Sequence, residues 1–110
     1  MIKMIKNKTK NSIISKEEIQ AKTFYLQSRG LMFRKKHNLI MFFNKEIPIY
    51  LHNFFVFYPI ELLILNKEKK IIEIKKEFKP FTFYNSKKKG KYLIELAFPS
   101  NYNLNDQLEF

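Results

Sequence analysis

The chain has no cysteine and no tryptophan, and it has only two glycines and two histidines. Without cysteine there is no disulfide framework, no thiolate metal site and no cysteine nucleophile. Gly30 and Gly90 cannot form the clustered turns that cradle phosphates, which excludes P-loop and dinucleotide-binding sites. His37 and His52 lack the HxH or HExxH spacing of a metal site, so no metal and no cofactor is expected. Ser12, Ser15, Ser28, Ser86 and Ser100 fall in polar or turn-like contexts, none in a GxSxG elbow, and no catalytic residue is nominated. Long hydrophobic runs are also missing. The most apolar stretch, Ile47 to Leu65, contains Pro48, His52, Asn53, Pro59 and Glu61. A membrane helix needs about 20 predominantly apolar residues, so no membrane span is expected. Lysines interrupt every apolar pair in the opening MIKMIKNKTK, which leaves no signal-peptide core. The reading is a leaderless, cytoplasmic protein.

What is present supports one folded domain. The 110 residues are 45% hydrophobic and 16% aromatic, enough for a single core. The net charge is +11, almost all of it from lysine, with Arg29 and Arg34 the only arginines. Such a charge suits a polyanion partner, either nucleic acid or an anionic membrane face. AT-rich coding would produce the same excess of Lys, Ile, Asn, Phe and Tyr, so both explanations stay open.

Residues 1–10 read as a flexible basic tail and residues 11–110 as the domain. A weak strand is expected around Ser12–Ala21. Thr23–Arg29 reads as a short helix, capped by Thr23 and ended by Gly30, with Leu31 packing back on it. Leu39–Phe43, Ile47–Phe57 and Ile60–Leu65 are runs too short for helices and read as strands. Asn66–Lys70 is a loop, and Ile71–Ile74 returns as a hairpin partner. Pro80–Tyr84 is extended, and Asn85–Lys91 is a turn with Gly90 as its permissive residue. Tyr92–Ala97 alternates, with Tyr92, Ile94 and Leu96 on one face and Leu93, Glu95 and Ala97 on the other. Leu104–Phe110 closes the chain as a strand. About six to eight short strands with one short helix imply a mainly β, single-domain barrel or sandwich.

Several segments, in order, resemble the domain-of-unknown-function 192 family. Arg29-Gly30-Leu31-Met32-Phe33-Arg34 is similar to its RxxGLMxR-type signature, and Met41-Phe42-Phe43 to its GMLF-type strand. His52-Asn53-Phe54-Phe55 with Phe57-Tyr58-Pro59-Ile60-Glu61 resembles the archaeal-style IHxFFxxFPID version. Pro80-Phe81 with Tyr84 resembles its proline-aromatic loop, and Lys91-Tyr92-Leu93-Ile94-Glu95-Leu96 its YVLEL strand. Asn105-Asp106 stands where the family has Gly-Asp. Glu61 replaces an aspartate, and Phe55 and Val56 replace the Asn-Thr of bacterial members. The resemblance covers about Ile19 to Phe110. It implies a small, mostly β, barrel-like fold and no established activity.

The residues that stand out chemically are ionisable groups in apolar surroundings. Glu61 lies in PIELLIL and Glu95 in YLIELA, where an ionised carboxylate needs a partner or a raised pKa. Arg29 and Arg34 are the natural partners. Arg29, Arg34, His52, Glu61, Glu95 and Asp106 therefore form a candidate polar cluster, either a ligand pocket beside RGLMFR or a buried salt bridge. Phe54, Phe55, Phe57, Tyr58, Phe81, Phe83 and Tyr84 read as core, with a stacking platform as the alternative. Lys87, Lys88, Lys89 and Lys91 make a basic turn, solvated or in contact with phosphate. The function expected is a non-catalytic binding or accessory module for a protein or small ligand. A nucleic-acid-binding β-domain is the alternative, and a hydrolase using paired carboxylates a remote one.

Overall fold

The computed structural model describes residues 4–22, 27, 31–32, 35–98 and 100–110. Ten strands build it: β1 (Ile5–Asn7), β2 (Ser12–Ser15), β3 (Glu18–Ala21), β4 (Asn38–Ile47), β5 (Tyr50–His52), β6 (Ile60–Leu65), β7 (Ile71–Phe78), β8 (Phe83–Asn85), β9 (Gly90–Leu96) and β10 (Leu108–Glu109). The main sheet has the order β3-β4-β9-β6-β7, a second sheet the order β10-β1-β2, and β5 with β8 forms a two-stranded ribbon. The fold is mainly β and sandwich-like, and its sheets do not close into a barrel. The expected helix at 23–29 and its Gly30 cap lie outside the described residues, Gln27 excepted.

Alternation in β6 and β9 explains the layering. Leu62, Ile64, Leu93 and Ala97 point into one hydrophobic core with Leu39, Met41 and Val56. Leu63, Leu65, Ile94 and Leu96 point into the other, with Ile40, Ile71 and Tyr102. Both strands are covered on both faces, as continuous apolar strands must be. The β1–β2–β10 sheet covers the second core through Ile5, Ile14 and Leu108. Loops and the inner side of the ribbon, Leu51 and Tyr84, cover the first.

The tail assignment needs correction. Residues 5–7 form β1, which pairs with both β2 and β10. Ile5 is fully buried, and the Asn7 side chain accepts a bond from Lys10 N at 3.1 Å that shapes the turn into β2. A strand with one apolar side chain in three has too little periodicity to be seen in sequence.

Gly90 opens β9 instead of serving only as a turn residue. A Cβ there would collide with Ile64 Cγ2 and lie 3.1 Å from Ile49 Cδ1 and 3.3 Å from Leu65 O. Gly90→Ala is expected to cost about 2 kcal/mol by overpacking, read as a lower urea midpoint with an unchanged m-value. An unchanged midpoint would mean that β6 and β9 do not approach this closely.

Candidate ligand-binding site

Glu95 sits on the central strand β9, paired with Leu39 of β4 and Leu62 of β6. Alternation puts its side chain on the face of Leu93 and Ala97, inside the first core. The carboxyl is 5% exposed, and Oε1 has no hydrogen-bond partner among the described residues. Burial pushes its pKa up from the usual carboxylate range to about 7. It borders a cleft of about 270 Å³ whose apolar walls include Leu31, Met41, Leu51 and Val56.

Three polar residues shape the same cleft. Gln27 Nε2 donates to Ala21 O at 3.1 Å and to Phe42 O at 2.7 Å, tying the side chain to β3 and β4. Asn53 is buried and holds two loops together. Its Nδ2 donates to Phe78 O at 2.9 Å, its N–H to Thr82 O at 2.8 Å, and its carbonyl accepts from Phe81 N at 2.8 Å. His52 lies at the exposed mouth. Its Nδ1 accepts from Phe54 N at 3.3 Å, which places the proton of the neutral ring on Nε2. No lysine is among the described lining residues.

Of the six residues grouped from the sequence, His52 and Glu95 line this cleft. Arg29 and Arg34 lie outside the described residues, and with them the expected arginine–carboxylate pair. Glu61 is opposite Leu96 in the register, so its side chain emerges on the other face of the sheet from Glu95. There Glu61 accepts from the Tyr102 hydroxyl and lies 3.7 Å from Lys76 Nζ. Burial, then the bond to Glu61 and its charge, raise the Tyr102 phenol above its ordinary range. Two carboxylates on opposite faces cannot act as acid and base on one bond. Asp106 is at a third place, where Oδ2 accepts from Asn7 Nδ2 at 2.7 Å and Asn103 N at 2.8 Å. Asn105 before it has φ 72°, a left-handed conformation that asparagine tolerates and glycine favours. That accounts for Asn in the Gly position of the Gly-Asp pattern.

The aromatic residues read as core divide. Tyr58 is buried and Tyr84 half-buried, but Phe55, Phe57, Phe81 and Phe83 are exposed. The core reading fails for Phe55, Phe57 and Phe81 because they lie in the loops beside β5 and β8, and for Phe83 because it sits on the exposed face of a ribbon of only two strands. Sequence reasoning also passed over Gln27 and Asn53. A lone asparagine inside the run LHNFFVF was the available signal, since a buried amide must find backbone partners.

Comparisons with known proteins agree with this fold. The profile of DUF192, described as Uncharacterized ACR, matches residues 5–101. A UPF0127 protein of Thermococcus sibiricus is 29% identical over 96 residues, 84% of this chain and 62% of its own length. A UPF0127 protein of Pyrococcus furiosus is 32% identical over 92 residues, 81% of this chain and 78% of its own. This chain thus spans less than two thirds of the Thermococcus relative. A crystal structure of a protein of unknown function from Novosphingobium aromaticivorans superposes with a TM-score of 0.81 at 14% identity, covering 97% of this chain and 82% of that one.

Proposed function

We propose a ligand-binding role for this chain, which belongs to the DUF192 family of uncharacterised proteins. It acts as a non-catalytic binding or accessory module whose ligand inserts a cationic group, an amine or guanidinium, into the cleft over Glu95. The observation that carries this reading is the buried Glu95 carboxyl at the wall of an open cleft, whose Oε1 has no partner among the described residues. An unpaired buried carboxyl is costly, and a bound cation removes that cost by pairing with it. Gln27 adds a second acceptor, because its Nε2 is spent on the backbone while no donor among the described residues reaches its Oε1. The volume is just under the ~300 Å³ at which pockets for drug-sized ligands begin, so it suits a small amine or one side chain of a partner. No helix among the described residues is long and apolar enough to cross a membrane. A cytoplasmic setting, the expectation stated from the sequence, goes with this proposal.

The experiment is a thermal-shift and NMR titration of the whole chain at pH 8 with guanidinium, small alkylamines and a short lysine peptide. Saturable stabilisation that disappears in Glu95→Gln is expected. A response to the peptide alone identifies a protein partner, and a response to free amines a small molecule. Equal responses in wild type and Glu95→Gln would end the proposal. A cation supplied from within the chain, by Arg29 or Arg34, is the competing outcome. An Arg34→Gln or Arg29→Gln variant in which added guanidinium restores the lost stability would show that the cleft is already served from within.

A further inference from the structure

The outer face of the β5–β8 ribbon carries a second, unassigned surface. The register pairs Tyr50 with Asn85 and His52 with Phe83, and all four residues are exposed. Phe83 is 71% exposed, Tyr50 70%, Phe57 65% and Phe81 54%. The phenylalanine rings are contiguous, and Tyr50 shares the exposed face of the ribbon with Phe83. Phe54 lies 5.0 Å from Phe83 and 6.1 Å from Phe81, with the planes of Phe54 and Phe81 30° apart, and Phe81 lies 6.1 Å from Phe57. A contiguous aromatic patch of this kind marks an interaction site. Its backbone is strained to match. Phe55 and Phe81 have φ of 59° and 61°, a conformation that bulky side chains avoid. The buried Asn53 holds both loops in that arrangement through its bonds to Thr82, Phe78 and Phe81.

The segments that form the patch carry charge of one sign. Residues 48–59 and 79–91, which supply the ribbon and its loops, contain no Asp or Glu and five lysines: Lys79, Lys87, Lys88, Lys89 and Lys91. The lysine turn is held in place from beneath. Glu73 Oε1 accepts from Lys87 N at 3.0 Å and Lys88 N at 2.9 Å, and the Tyr84 hydroxyl donates to the same carboxylate. Burial, with the bond to Glu73 and its charge, pushes the Tyr84 phenol up to about 12, so that donor keeps its proton.

We infer that this face binds single-stranded nucleic acid, stacking bases on Tyr50, Phe54, Phe81 and Phe83 while Lys87, Lys88 and Lys89 contact phosphates. Aromatic platforms beside a basic track are the chemistry single strands require, because every base has a π-face and every linkage a charge. A second copy of the chain is disfavoured, since it would bring the same lysines against these. An anionic membrane would bury His52 and Asn85, which lie on the same face as Tyr50 and Phe83 and which base edges can use.

The test is fluorescence anisotropy on the whole chain with a labelled oligothymidylate, the corresponding duplex and phosphatidylserine vesicles. The single strand is expected to bind about tenfold tighter than the duplex, whose bases are occupied. Phe83→Ala, at an exposed site and checked for folding by circular dichroism, weakens single-strand binding about tenfold. Replacing Lys87, Lys88 and Lys89 by serine lowers the slope of log affinity against log salt by about 2. Equal affinity for duplex, indifference to Phe83→Ala, binding to vesicles alone, or aromatic-dependent self-association would each overturn the inference.

Discussion

A chain lacking residues 1–10 is expected to lose most of its stability, with a melting temperature at least about 15 °C lower or no cooperative transition. β1 is the middle strand of the β10-β1-β2 sheet, so its removal leaves both neighbours unpaired. Ile5 leaves the second core, and Ile14 and Leu108 lose cover. Electrostatics adds at least as much. Asn7 Nδ2 donates at 2.7 Å to Asp106, which is 5% exposed, so deletion strips a hydrogen bond from a buried carboxylate. Burial of one Ile contributes about 2 kcal/mol, and a hydrogen bond to a charged group about 2 kcal/mol more. With the strand pairings the loss exceeds about 5 kcal/mol, comparable to the whole stability of a small domain. Urea unfolding of the truncated chain, with Asn7→Ala as a milder variant expected to lose about 2 kcal/mol, measures this. A truncated chain as stable as the parent would return β1 to the status of a tail.

The contrast between β1 and β9 shows what sequence makes legible. From Leu93 in β9 to Ala97 just beyond it, side chains follow a period of two, and both faces sort as the alternation predicts, Ile94 and Leu96 into one core and Leu93 and Ala97 into the other. The β6–β7 hairpin was equally visible, because its two apolar runs flank a polar loop. Relations between strands were not visible. Glu61 and Glu95 each stand among leucines, and only the pairing of Leu62 with Glu95 reveals that they face opposite ways. The aromatic run from Phe54 to Tyr58 reads as a core strand by composition, yet β5 ends at His52 and the run is a loop, with Tyr58 buried and Phe55 and Phe57 exposed. Composition does not tell an aromatic loop from a buried strand. In sequence Gly90 stands out for its conformational freedom, whereas its missing side chain matters for the contact with Ile64.

Stability is expected to fall by about 3 kcal/mol between pH 4.5 and 7, through Glu95. Its pKa is raised from the usual 4.5 to about 7 by burial. The unfolded chain therefore releases this proton near pH 4.5 while the folded chain keeps it until about pH 7. In that window the native state binds more protons than the unfolded state, so stability declines as pH rises. Below the window both states are protonated and above it both are ionised, which leaves a plateau at each end. The drop follows from about 1.4 kcal/mol per pH unit across the window. Glu95→Gln keeps the size and removes the charge, so it should flatten this part of the profile and melt above the parent at pH 8. Urea unfolding at a series of pH values, with the variant subtracted from the parent, isolates the Glu95 contribution from that of the other acids. A difference curve that rises with pH would mean that a cation already pairs with Glu95, because pairing lowers a carboxyl pKa as burial raises it. A falling curve leaves an acid that a bound amine or guanidinium would hold ionised. Affinity for such a ligand should then increase as pH rises through 7, levelling once Glu95 is fully ionised.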